Sequence, residues 1–301
     1  MNADYPAEIT IEANPESADG AFLEACAVNG INRLSLGIQS FDPAARKAAG
    51  RRGGTALLPE RLAAAAEIFD CGLSLDMMSG LPGQGRDVLL RDIDQALSFH
   101  PGHVSLYALT VEEGTRLAAA LSSPGGGGIP RGDEADELWL AGRDALARAG
   151  FEQYEVSNFA RRVLPGQKSL HCAHNIRYWR MENWIGVGSA ASGTVIGGGG
   201  RGRRISYGPD ADAFIAGAEG LMAAEELDRA AVLRETFLMG FRYSEGPDPV
   251  LFRKRFGLSV EEAIPETLEK WRRFDSWANR VLFLNGFLLD AFAELDNSRI
   301  T

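Results

Sequence analysis

Cysteine is scarce in this chain. Its 301 residues include three, Cys26, Cys71 and Cys172, and no two stand at C-x-x-C or other ligand spacing. That excludes a zinc ribbon and a redox dithiol, and it leaves no disulfide framework. Such usage suits a reducing compartment, so a cytoplasmic location is expected. A signal peptide is not expected either, because MNADYPAEITIEAN has neither a basic start nor an apolar run behind it. No stretch reaches the ~18 apolar residues of a membrane span. The nearest, VLFLNGFLLDAF (281–292), is broken by Asn285 and Asp290 and reads as a terminal helix docked on the body. Positive charge is in deficit, with Lys+Arg 31 against Asp+Glu 41 and a net charge of −10. No nucleic-acid partner is expected, since phosphate recognition calls for a basic face. Arg201, Arg203 and Arg204 form one small basic cluster, which reads as a solvated turn.

What the chain does have is a repeating pattern. Apolar content of 45% and charged content of 24% fit a globular protein with a real core, in one large domain or two smaller ones. Four short apolar runs occupy the first third: EITIEANP (8–15), RLSLGIQSF (33–41), LSLDMMSGLPGQ (73–84) and HVSLYALT (103–110). Helical periodicity separates them, so the order is β-α-β-α-β-α-β. Each run carries a polar residue that strand packing does not need: Glu12, Gln39, Asp76 and Tyr107. In parallel α/β folds the carboxyl ends of strands converge on one crevice, which makes these positions the candidate site. A carboxylate on such a strand costs several kcal/mol to bury unless it is paired or ligand-bound. The plain alternative for Glu12 is an edge position facing solvent. Gln39 and Asp76 suit hydrogen bonds to hydroxyls or an amine, and Arg51 with Arg52 suits a carboxylate. LPGQG (81–85) is a tight turn able to approach a ligand, without the lysine of a P-loop.

Further elements follow. Ser17 is placed to cap a helix near 17–29, with Cys26 on its core face. LSSPGGGGIPRG (121–132) reads as a flexible connector, and a helix is predicted over 133–150. FEQYEVSNFA (151–160) alternates like one strand, IGVGSAASGTVIGGGG (185–200) reads as a glycine-rich strand, and a short strand lies near 203–207. From Asp210 on the pattern is helical. This divides the chain into sections 1–121, 122–208 and 209–301. HCAHNIRYW (171–179) places His171, Cys172 and His174 within four residues. Three readings stand: a metal site, axial haem ligation beside Tyr178, Trp179 and Trp184, or a loop packed by its aromatics over the barrel mouth.

Taken together, EITIEANPES, INRLSLGIQSF, LSLDMMSGLPGQ, HCAHNIRYW and NWIGVG resemble the HemW proteins. These are relatives of the oxygen-independent coproporphyrinogen III oxidases in the radical S-adenosylmethionine (SAM) superfamily. The resemblance implies an α/β fold: an incomplete TIM-like barrel from its third strand onward, a small α+β section and a helical carboxyl-terminal region. It implies that Glu12, Gln39, Arg51 and Asp76 contact SAM and that Ala108 contributes backbone. It associates the HNxxYW motif, with His174, Tyr178 and Trp179, with haem. Haem or a porphyrin and a haem-accepting protein are the implied partners. The family's C-x-x-x-C-x-x-C and GGGTP-type segments have no counterpart in this sequence, so a [4Fe–4S] cluster is not expected in this chain. The GxGAHS-type histidine is replaced in Gly188-Ser189-Ala190-Ala191-Ser192. The expectation is therefore a truncated HemW-like protein of haem or porphyrin metabolism, not catalytic alone. The alternatives are a non-catalytic haem carrier and an inactive gene fragment. Such a truncation leaves the strand at 8–13 with an open edge, an aggregation hazard.

Overall fold

A computed structural model of the chain describes residues 7–51, 54–122, 128–218, 220–274 and 276–298. The chain divides into two compact units, Met1–His171 and Cys172–Thr301. Arg52 and residues 123–127 of the expected connector lie outside the described residues.

The first unit runs β1 (Thr10–Ala13), α1 (Gly20–Val28), β2 (Arg33–Gln39), α2 (Pro43–Ala48), α3 (Leu58–Phe69), β3 (Leu73–Ser79), α4 (Arg86–Leu97), β4 (His103–Ala108), α5 (Arg116–Leu121), α6 (Asp133–Arg148), β5 (Phe151–Gln153) and β6 (Asn158–Arg161). The sheet order is β1-β2-β3-β4-β6-β5. Its first four strands are parallel, and β6 pairs antiparallel with both β4 and β5. The fold is thus α/β with a mixed sheet. Local chemistry starts the helices. Asp42 accepts from the backbone N–H of Ala44 and Ala45 ahead of Pro43, and such a cap is worth about 1 kcal/mol. For α1 the cap is Asp19, which accepts from Phe22 N, rather than Ser17.

Alternation along the strands builds two unlike faces. Leu34, Leu36, Ile38, Leu75, Met77, Val104 and Leu106 point to the helices and join one core with Leu23, Cys26, Leu62, Leu89 and Ile93. Full burial of each large aliphatic contributes roughly 1.5–3 kcal/mol. The opposite face carries Arg33, Ser35, Ser74, Asp76, His103 and Ser105, a polar set that an ordinary core does not bury.

The second unit runs α7 (Ala173–Trp179), β7 (Ser192–Ile196), β8 (Gly202–Tyr207), α8 (Ala211–Ile215), β9 (Met222–Leu227), α9 (Arg229–Gly240), α10 (Pro249–Phe256), α11 (Val260–Ala263), α12 (Pro265–Lys270), α13 (Trp277–Arg280) and α14 (Leu284–Asn297). Its sheet is antiparallel, β7-β8-β9. Aromatic pairs fill its helical core: Phe237 stacks on Phe252 at 5.5 Å, and Phe287 meets Phe241 at 4.5 Å and Trp271 at 5.7 Å. The expected terminal helix is α14. Its Asp290 accepts from Trp271 Nε1 at 2.7 Å, which explains an acid inside an apolar run.

Three expected elements differ. Residues 151–160 form a hairpin rather than one strand, because the chain turns between Gln153 and Asn158 and both arms add to the sheet. The glycine-rich strand contracts to Ser192–Ile196, since glycine favours strand pairing weakly. Residues Met222–Leu227, partly expected as helix, are a strand. Pairing with β8 overrides the helix preference of Ala and Glu, and it sets Arg203 against Glu226 at 3.3 Å and Arg204 against Glu225 at 3.5 Å. Arg203 and Arg204 are therefore ion-paired strand residues. Among the described residues no helix is long and apolar enough to cross a membrane.

Candidate functional site

The carboxyl ends of β1, β2 and β3 bring several of the sequence-derived residues together. The β2 register shifts between Gly37 and Gln39, and Gln39 takes φ +67°. Left-handed backbone at a non-glycine residue is uncommon and clusters at functional positions. Here, with the bulge, it returns the Gln39 side chain beside Gly37. A Cβ on Gly37 would lie 3.0 Å from Gln39 Nε2, 3.6 Å from Arg51 Nη2 and 3.7 Å from Asn14 Oδ1. Arg51 Nη1 donates to Asn14 Oδ1 at 2.7 Å. The missing side chain at Gly37 thus leaves a small cradle ringed by an amide, a guanidinium and a second amide.

Asp76 is the register partner of Gly37 on β3. Ser35 Oγ lies 3.0 Å from both of its carboxylate oxygens. Burial raises the Asp76 pKa above the usual carboxylate range and the charge of Glu12 adds to the rise, while hydrogen bonds from Ser105 and Ser35 and the charge of Arg33 oppose it. Glu12 pairs in register with Ser35 and is exposed. Ala108 ends β4 opposite Ser79, also exposed. Tyr107 is pushed up to about 12, first by burial and then by the charge of Asp76, with Glu155 and Glu12 also contributing.

Glu155 is the residue that the sequence reading missed. It sits in the β5–β6 turn, 1% exposed. It accepts from Ser157 N at 3.1 Å and also from the backbone at Val156 and Asn158. Burial outweighs those bonds and pushes its pKa up to about 7. The only sequence signal was an acid inside an alternating apolar segment. Asp92 was missed as well. From α4 it accepts from Ser40 Oγ at 2.5 Å, Phe41 N at 2.9 Å and Gln84 Nε2 at 3.3 Å. Gln84 of the LPGQG turn is buried in this network, so its side chain ties the loops after β2 and β3 together.

At the opposite strand ends a polar chain is internally satisfied. Ser74 Oγ is 2.8 Å from His103 Nδ1, and His103 Nε2 is 2.8 Å from Tyr154 Oη. Burial, then the charges of Arg33 and His171, hold the His103 pKa well below its usual value. His171 stacks on Tyr154 at 4.1 Å and bonds Glu152 at 3.0 Å.

In the second unit the HNxxYW segment is helix α7. His174 meets Tyr178 edge-on at 4.8 Å, one helical turn away, and Tyr178 meets Trp184 at 5.0 Å. His174 is exposed. The buried indole Nε1 of Trp179 has no acceptor among the described residues. Cys26 and Cys172 are buried and Cys71 is exposed. Among the described residues no group of three His, Cys, Asp or Glu is arranged to hold a metal.

No protein-family profile matches the chain. The solved structure of coproporphyrinogen III oxidase (HemN) from Escherichia coli, described as a radical SAM enzyme, covers 95% of this chain with a TM-score of 0.72 at 16% identity, over 69% of its own length. The fold is therefore that of this oxidase. Heme chaperone HemW of Escherichia coli is 32% identical over 264 residues, covering 86% of this chain and 66% of HemW. A mitochondrial protein of Bos taurus, radical S-adenosyl methionine domain-containing protein 1, is 37% identical over 249 residues, covering 79% of this chain and 54% of that protein. The chain belongs to the HemW-like family of radical SAM proteins. It spans between about half and two thirds of the length of these relatives.

Proposed function

We infer that the first unit binds SAM at the carboxyl ends of β1–β4, with Glu12, Gln39, Arg51 and Asp76 as side-chain contacts and Ala108 as a backbone contact. The cradle at Gly37 carries this reading. Its guanidinium and amides match an amino-acid carboxylate and ribose hydroxyls, and the acids Glu12 and Asp76 suit the sulfonium and amino charges. When bound, SAM supplies the sulfonium centre on which the superfamily's chemistry depends. The residues of this chain hold and orient it. We read the sheet as an incomplete radical-SAM barrel in which β1 stands third, and the three sections 1–121, 122–208 and 209–301 as its sequence divisions.

The second unit presents His174, Tyr178 and Trp179 to haem or a porphyrin, for delivery to an accepting protein. The exposed His174, in ring contact with Tyr178 and through it with Trp184, supports this. The described cysteines do not fit a [4Fe–4S] cluster, so no step through a cluster is derived. The exposed His174 with its aromatic neighbours also favours a second reading, a haem-binding carrier without catalysis. We place the protein in the cytoplasm on its cysteine usage, although relatives of the mitochondrial type share the family.

Calorimetric titration of SAM into the full chain tests the first unit. Saturable binding is expected, and no heat at millimolar SAM would overturn the reading. Optical haem titration tests the second. His174→Ala is expected to weaken binding about tenfold, on loss of one ligand or charge-assisted bond, and an unchanged Soret response counts against His174.

A further inference from the structure

The second unit holds a cleft that neither SAM nor haem accounts for. Its cavity is about 330 Å³, at the small end of ligand pockets. One wall is the glycine segment Gly197–Gly198 after β7, and the other is the last turn of α10 with Lys254 and Arg255. The glycine loop is anchored. Arg229 donates to Gly199 O and, at 2.8 Å, to Phe256 O, which ties the loop to the end of α10. At Gly200, φ is +72° and a Cβ would strike the Phe256 ring at 2.7 Å, so the loop is also tightly packed there. At Gly198 a Cβ would meet nothing within 4 Å, so main chain faces open space.

Arg255 is the informative residue. It is 6% exposed, and its Nη1 has no acceptor among the described residues. A buried guanidinium N–H without an acceptor is costly and rarely kept without cause. The acids whose fields reach it are already engaged. Glu182, in the cleft wall, pairs with Arg177 at 3.2 Å. Asp248 caps α10 by accepting from Leu251 N at 2.8 Å. Asn183 spends its amide on both backbone groups of Ile196. Lys254 is exposed and forms no ion pair among the described residues. The cleft therefore offers two cations and a glycine wall against one lining acid, Glu182, which is already paired with Arg177.

We propose that this cleft binds a small ligand through an oxyanion, carboxylate or phosphate, held by Arg255 and Lys254 against the glycine wall. The geometry suits a guanidinium fork closing on two oxygens, with the ammonium adding charge at the mouth. The site is independent of the SAM and haem readings and fails or stands without them.

The test uses the full chain with inorganic phosphate and, separately, succinate, followed by thermal unfolding and calorimetry at low salt. At least one anion is expected to raise Tm and bind saturably, and which one does so names the source of the oxyanion. Arg255→Met is expected to reduce affinity at least tenfold and Lys254→Gln about threefold, as befits a buried and an exposed contact. Without anion, Arg255→Met is expected to be no less stable than the wild type, because it removes an unpartnered buried charge. A purely structural arginine would instead lower Tm. If Arg255→Met does not fold, Gly198→Leu carries the test, since it adds bulk only to the open cleft, and it is expected to abolish the anion response. Binding of neither anion, or an unchanged response in the folded variants, overturns the proposal.

Discussion

Replacing Glu155 by Gln tests whether the mouth of the first sheet holds a carboxylic acid that stays protonated near neutrality. Glu155 is 1% exposed, and burial moves its pKa from 4.5 to about 7 despite three backbone donors. A folded-state value above the unfolded one means that the folded chain keeps a proton that the unfolded chain has released. Stability is therefore complete below pH 4.5 and falls as pH rises toward 7. A displacement of that size is worth about 3 kcal/mol. Glutamine matches the protonated acid in shape and keeps one acceptor oxygen for Ser157 N. The variant and the wild type are expected to be alike at about pH 4, and the variant more stable by about 3 kcal/mol at about pH 8. Every other group titrates in both chains, so the difference isolates this one. Urea unfolding at four pH values between these limits measures it. A difference that stays flat across the series would refute the reasoning, since Glu155 would then ionise alike in the folded and unfolded chains.

Other outcomes follow from the same geometry. Gly37→Ala sets a Cβ 3.0 Å from Gln39 Nε2 and fills the cradle. SAM affinity is expected to fall about tenfold, with stability changed by about 1 kcal/mol or less, in calorimetry and urea unfolding of the same sample. Asp92→Ala removes the acceptor of Ser40 Oγ and of Phe41 N and one of the two acceptors of Gln84 Nε2, which keeps Met78 O. It is expected to destabilise the chain by about 3 kcal/mol, read as a lower urea midpoint at unchanged slope, and a loss under about 1 kcal/mol would deny the network its role.

The strands and helices of the first unit were legible because period-two and period-3.6 patterns are strong there, and Asp42-Pro43 marks its helix plainly. Gln39 and Asp76 stand out in the sequence as polar interruptions of apolar strands and Arg51 as a loop cation, and the structure brings Gln39 and Arg51 together beside Gly37. Glu155 was not, because its burial comes from a hairpin turn that 151–160 does not announce: a Y-E-V-S-N stretch alternates well enough to pass as one strand. Asp92 was hidden for another reason. It lies on an amphipathic helix among Arg91 and Asp94, where an acid reads as solvent-facing, and only the fold brings the loops after β2 and β3 to it. β9 escaped because its Met-Ala-Ala-Glu-Glu-Leu composition favours helix, and a strand partner 20 residues away in sequence decided otherwise.

The polar face of the first sheet has a direction. Toward the amino ends of its strands it carries Arg33 and a His103 held neutral between Ser74 and Tyr154. Toward the carboxyl ends it carries Asp76 and Glu155, with the field of Glu12 reaching both Asp76 and Tyr107. Within the sheet the single cation acting on Asp76 is a weak influence, smaller than burial, the serine bonds or Glu12. Carboxyls left with raised pKa values lower their free energy by gaining either a proton or a cation. A ligand carrying positive charge on its reactive atom and a carboxylate at its tail would satisfy both needs in one pose, with the cation among Glu12 and Asp76 and the tail at Arg51. The same asymmetry disfavours a polyanion in that pose. SAM binding should therefore raise the acidity of Asp76, and by linkage the affinity is expected to fall as pH is lowered into the range where Asp76 takes up a proton, measured by calorimetric titration over a pH series. An affinity that stays flat across the series would mean that Asp76 does not hold the positive charge of the ligand.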